Sequence, residues 1–181
     1  VGGWTGELSN TSEKIELADS TGLLIDEVTY ADEGDWALRR RGPLDRNHFG
    51  WIWQTDHDGI GKSAELVNPA QSNNNGQNWA ASTPAGGTPG ASNSAFASDI
   101  APIVSDVEHS PAIPRSTDFV TIRAEVDDEV AAGLTVEVLH RSSDFDSFTA
   151  TTMFDDGQHD DGAADDGIYA VVLPPQSHGT V

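Results

Sequence analysis

The residues most able to do chemistry lie toward the C-terminal end. Asp155-Asp156-Gly157, Asp160-Asp161-Gly162 and Asp165-Asp166-Gly167 repeat one tripeptide at a period of five. Carboxylates crowded in this way repel one another unless a counter-charge sits between them, and a hard cation such as Ca2+ takes roughly 6–8 oxygen ligands. Asp155, Asp156, Asp160, Asp161, Asp165 and Asp166 are therefore the candidate metal ligands, with Ca2+ as the candidate ion. The glycines would let the loop curl so that side chains and carbonyls converge. The spacing is not that of an EF-hand, because His159 and Ala164 stand where ligand oxygens are required. The competing reading is a cluster of solvated Asp-Gly turns between two strands, binding cations only loosely.

Other constellations are weaker. Asp56-His57-Asp58-Gly59 places a histidine among carboxylates, which suits a metal ligand or a general base. With no third or fourth ligand assignable, a plain turn is the favoured reading. Gly61-Lys62-Ser63 has the ending of a phosphate-binding loop, but Asp56 occupies the position of its first glycine and a strand, not a helix, follows. Phosphate binding is rejected there. Of the five tryptophans, Trp51 and Trp53 share a strand face and could stack on sugar rings, making them the candidate glycan site. The alternative, that Trp4, Trp36, Trp51, Trp53 and Trp79 fill the core of a small sandwich, is favoured. Asn10-Thr11-Ser12 fits the N-glycosylation pattern by chance. No Ser-His-Asp elbow, zincin helix or dinucleotide glycine motif occurs, and no catalytic residue is assigned.

The elements that must position these residues are short. Hydrophobic residues make up 36% while Gly (18) and Pro (9) are plentiful, a profile of strands and turns rather than long helices. Lys14 to Leu17 and Leu23 to Tyr30 form an expected hairpin about the turn Asp19-Ser20-Thr21-Gly22. Phe49 to Trp53 and Ala64 to Val67 are expected strands, and Gln71 to Asn78 a loop. In the second half Val120, Ile122, Ala124 and Val126 alternate with polar residues, as do Leu134 to Val138, Phe148 to Phe154 and Ile168 to Leu173. Such a series points to a β-sandwich.

Thirty acidic residues against nine basic ones give a formal charge of −21, which argues against nucleic acid as a partner. Arg39, Arg40, Arg41 and Arg46 are read as a solvated loop offsetting that field. The absence of cysteine removes disulfides and thiol chemistry without fixing the compartment. No apolar run is long enough for membrane insertion.

Gly6 to Asn10, Glu13 to Asp19, Ile25 to Tyr30, Gly61 to Pro69 and, above all, Asn78-Trp79-Ala80-Ala81-Ser82-Thr83-Pro84 resemble, in order, the middle and end of bacterial lamin-tail domains. The front of that module is missing, and the stretch from Arg39 to Thr55 is longer than the family's connection. Pro102-Ile103-Val104, His109-Ser110-Pro111, Val120 to Val126 and the Asp-rich segment through Tyr169 resemble the immunoglobulin-like module that often follows, in exported proteins that also carry CotH-like kinase domains. The expectation is an all-β chain of two Ig-like β-sandwich modules, both incomplete. A lamin-tail-like domain spans 1–93, a short linker 94–101, and an Ig-like or fibronectin-type-III-like domain 102–181, whose closing Gly179-Thr180-Val181 opens a further strand. The resemblance implies a non-catalytic structural or interaction pair, secreted or on the cell surface, with a protein or matrix partner. The alternatives are a calcium- or glycan-binding module, or an accessory region of a secreted CotH-like kinase or other hydrolytic enzyme.

Overall fold

Asp19 shows how the first hairpin closes. Its carboxylate accepts from the Thr21 N–H (2.8 Å), the Thr21 hydroxyl (2.7 Å) and the Leu23 N–H (3.0 Å), so one side chain ties the whole turn. The Thr21 hydroxyl bond, followed by those backbone bonds, holds the Asp19 carboxyl below its ordinary pKa. On either side run β1 (Ser12–Ala18) and β2 (Leu24–Ala31), paired antiparallel from Ser12↔Ala31 inward. The computed structural model describes residues 7–46, 48–130, 133–141 and 146–175; Trp4 and Gly179-Thr180-Val181 lie outside them.

The chain divides into two compact units, Val1–Ile100 and Ala101–Val181. After β2 the first unit forms a second hairpin, β3 (Leu38–Asp45) with β4 (His48–Gln54), and a short ladder, β5 (Ala64–Leu66) with β6 (Trp79–Ala81). Strand β3 corrects the sequence reading. Arg39, Arg40 and Arg41 do not form a solvated loop: they face Trp53, Ile52 and Trp51 in register. Cross-strand stacking, which no local pattern of three arginines discloses, supplies the reason.

Between β5 and β6 the polar segment folds about Asn78, which is 0% exposed. The Asn78 Oδ1 accepts from the Asn68 N–H (2.8 Å), while its Nδ2 donates to the carbonyls of Asn68 (2.8 Å) and Ser72 (3.0 Å). Its own carbonyl takes the Val67 N–H at 2.9 Å. Gly76 lets this loop approach the 3-10 turn Gly34–Trp36: a Cβ there would lie 2.6 Å from the Trp36 nitrogen. Trp36 and Trp79 then meet at 5.3 Å between ring centroids.

The second unit contains β7 (Ile103–Ser110), β8 (Val120–Asp127), β9 (Glu137–His140), β10 (Thr149–Thr152) and β11 (Ile168–Leu173). One sheet runs β7–β8–β11 and the other β9–β10. Alternation puts Ala124, Val171 and Leu173 inside with Met153; Val120, Ile122, Val136 and Val138 pack around them. Phe154, just after β10, exchanges two backbone hydrogen bonds with Ala170 (2.9 and 2.8 Å) and joins the second sheet to β11. The architecture is all-β, consistent with Ig-like β-sandwich modules.

Replacing Asn78 by Leu keeps the branched shape, with somewhat more bulk, but strands three backbone groups in a dry site, which should cost about 3 kcal/mol. Urea unfolding measures this; a loss below about 1 kcal/mol would show that the Asn78 bonds do not hold the loop.

Candidate functional site

The Asp-rich loop joins Phe154 to β11. Gly157, Gly162 and Gly167 have φ of 72°, 109° and 84°, the left-handed conformation that the repeat requires for tight curling. The carboxylates do not converge on one point: among the described residues no group of three or more His, Asp and Glu is arranged to hold a metal ion. They turn instead to backbone N–H groups. Asp161, 1% exposed, accepts from Asp156, from Gly157 (2.8 Å) and from His159 (3.1 Å). Asp155 accepts from Asp166 (3.2 Å) and Gly167 (2.9 Å), and Asp166 from Ala163 (2.9 Å) and Ile168 (3.0 Å). Asp156 takes the Gln158 N–H and meets the His159 ring nitrogen, both at 2.9 Å. Asp160 reaches Arg123 at 3.3 Å. Asp165 contributes backbone, its N–H bonding the Asp155 carbonyl at 3.4 Å. Burial pushes the Asp161 carboxyl upward, but the N–H bonds from Gly157, Asp156 and His159 outweigh it and leave the pKa lowered.

The candidate recognition face is the β3–β4 hairpin. Alternation puts Phe49, Trp51 and Trp53 on one side of β4, and the register puts Arg39 and Arg41 beside them. The Arg39 guanidinium lies 4.5 Å from the centre of the Trp51 ring, and that of Arg41 lies 3.7 Å from Phe49. These rings are not core: Trp51 is 56% exposed, and Trp53 and Phe49 are 37% exposed each. Trp36 and Trp79 are the half-buried pair that the core expectation describes. Trp51 and Trp53 depart from it because their hairpin has exposed residues on both sides. Among the described residues no carboxylate pairs with Arg39, Arg40 or Arg41. No local pattern couples the arginines to the tryptophans; the one available signal is their spacing across a possible hairpin turn.

The loop carrying His57 is a turn, closed by the Asp58 N–H on the Thr55 carbonyl (3.4 Å), and its ring Nε2 lies 3.3 Å from the Ala31 carbonyl. After Lys62 comes strand β5, so no helix N-terminus is present there to cradle phosphate. Among the described residues no helix is long and apolar enough to cross a membrane.

A family model described as the conditioned medium factor 2nd Ig-like domain matches residues 126–181. The matched segment begins at the end of β8 and contains β9, β10 and β11, so it lies in an Ig-like module. No curated protein and no solved structure matches the chain.

The lowered Asp161 pKa carries a pH signature. A carboxylate held below its unfolded value contributes stability that is fully present above about pH 4 and is lost as the pH falls through the folded value. The stability gap between the wild type and Asp161→Asn, measured by thermal unfolding, should be widest at neutral pH and shrink below about pH 4. A gap that stays constant to pH values well below about 4 would mean that the ionised carboxylate is not what the loop needs.

Proposed function

We propose that this chain is a non-catalytic interaction region of an exported bacterial protein, and that it recognises an anionic glycan through Arg39, Arg41, Trp51 and Trp53. The observation that carries the reading is the pair of guanidinium groups, Arg39 and Arg41, that lie over exposed rings with no carboxylate partner among the described residues, in a chain whose formal charge is −21. A guanidinium lying flat on a ring keeps its N–H edge free for a carboxylate or sulfate, which it can grip with two parallel bonds. The open area of Trp51 and Trp53 meets the C–H face of a sugar. An acidic protein repels polyanions in general, so a local basic patch selects ligands small enough or regular enough to sit on that patch alone.

The wider setting belongs to the same proposal. The first unit is lamin-tail-like, supported by the motif from Asn78 to Pro84, and the second is the Ig-like partner that follows it. Together they space or present a neighbouring domain, such as a CotH-like kinase or a hydrolase, outside the cell. The acidic, cysteine-free composition suits that location, and the family matching the second unit is named for a factor of conditioned medium.

Calorimetric titration with polygalacturonate, a polyuronic acid, and with neutral dextran tests the assignment. The polyuronate should bind, more weakly as salt rises, and the double variant Arg39→Gln, Arg41→Gln should lose about tenfold or more in affinity, equivalent to ~1.4 kcal/mol. Trp51→Ala should weaken binding without abolishing its salt dependence. Equal binding of dextran, or full affinity in the arginine variant, would overturn the proposal.

A further inference from the structure

The first unit encloses a second site that shares no residue with the β3–β4 face. A cavity of about 430 Å³ opens between the β1–β2 hairpin and the segment from His57 to Ala64. That size is within the range of roughly 300–1,000 Å³ in which proteins hold small molecules. Its apolar wall is formed by Ile15, Val28, Trp36 and Trp79. The polar end of Trp79 is spent elsewhere, since its Nε1 donates to the Asn73 carbonyl at 2.8 Å, so the ring offers only hydrocarbon surface.

Two half-buried charges of opposite sign line the same space, Lys62 and Asp32. Among the described residues neither side chain makes an ion pair or hydrogen bond, with the other or with any third group. The backbone on either side of Lys62 is nonetheless tied down. The carbonyl of Gly61 accepts from Gly86 (2.6 Å), the carbonyl of Ser63 accepts from Ser82 (2.8 Å), and the Ser63 N–H donates to the Ser82 hydroxyl (3.1 Å). Asp32 is likewise anchored by its N–H on the Thr11 carbonyl at 3.0 Å. Half-buried charges set beside apolar surface gain charge-assisted hydrogen bonds when a ligand of complementary charge arrives.

The charge pattern narrows the partner. Asp58 also lines the cavity, so a simple anion drawn to Lys62 would meet two carboxylates. A simple cation would leave Lys62 unanswered. We propose that the cavity binds a small zwitterion with an apolar body, an α-amino acid with a large apolar side chain, its carboxylate on Lys62, its ammonium on Asp32 and its side chain against Trp36 and Trp79.

Titration calorimetry of the whole chain with L-phenylalanine and L-leucine provides the test, with 3-phenylpropionate and phenethylamine as ligands lacking one charge each. At least one amino acid should bind, and each single-charge analogue should bind at least tenfold more weakly than L-phenylalanine. Lys62→Met and Asp32→Asn should each lose tenfold or more, Lys62→Arg should retain binding, and Arg115→Gln, an exposed position in the second unit, should leave it unchanged. A thermal melt of each variant identifies any that fails to fold, and the analogue comparison on the unaltered chain decides the matter without them. No binding of either amino acid at millimolar concentration, or binding of the analogues as strong as that of the amino acid, would overturn the proposal.

Discussion

A polar side chain buried with all its hydrogen bonds made is the interaction on which both units rest. Among the described residues the largest fully buried side chains are Asn78, Asp161 and Ser82, not aromatic or branched aliphatic groups. Each stands where irregular backbone would otherwise leave N–H groups dry and unpaired, a condition that costs more than a lost contact. Glu65 does the same work beside them: 4% exposed, it accepts from the Thr88 and Ser94 hydroxyls and the Ala95 N–H, and the Thr88 bond leads in lowering its pKa. The apolar cluster of the second unit is small, centred on Ala124, Met153, Val171 and Leu173. A small module with long loops gains order from such bonds that its core cannot supply alone.

This arrangement reverses a common division of labour, in which a rigid sheet carries loops that bind. Here the charged loop turns part of its charge onto its own backbone. The carboxylates of Asp155, Asp161 and Asp166 accept backbone N–H bonds, so these three side chains contribute to the fold. Among the described residues, the groups without protein partners include Arg39 and Arg41 on β3 and Asp32 and Lys62 around the first-unit cavity. On the two proposals above, recognition falls to strands and a cavity, while buried polar side chains order the loops.

What was legible in the sequence follows from range. Strand β8 shows a period of two that burial enforces on neighbouring residues, and β11 and the β1–β2 hairpin show the same alternation in residue type, so these patterns read directly. The Asp19 turn is also local: all its bonds fall within four residues. Strand β3 was hidden because Arg39 and Arg41 owe their place to Trp51 and Phe49 on the other side of a turn. The segment from Gln71 to Asn78 was correctly seen as polar, but composition cannot tell a solvated amide from one that closes a loop ten residues long, as Asn78 does with Asn68. Likewise, a period of five placed the aspartates and glycines of the C-terminal loop without disclosing whether each oxygen faces a cation or an N–H.

Amide hydrogen exchange on the intact chain addresses the central claim most directly. If polar side chains hold the loops, the amides of Asn68, Asp156, Gly157 and Gly167, all outside the strands and all bonded to side-chain oxygens, should exchange as slowly as those of β8 and β11. Exchange of these amides at the rate of freely solvated loops, with β8 and β11 still protected, would contradict the account.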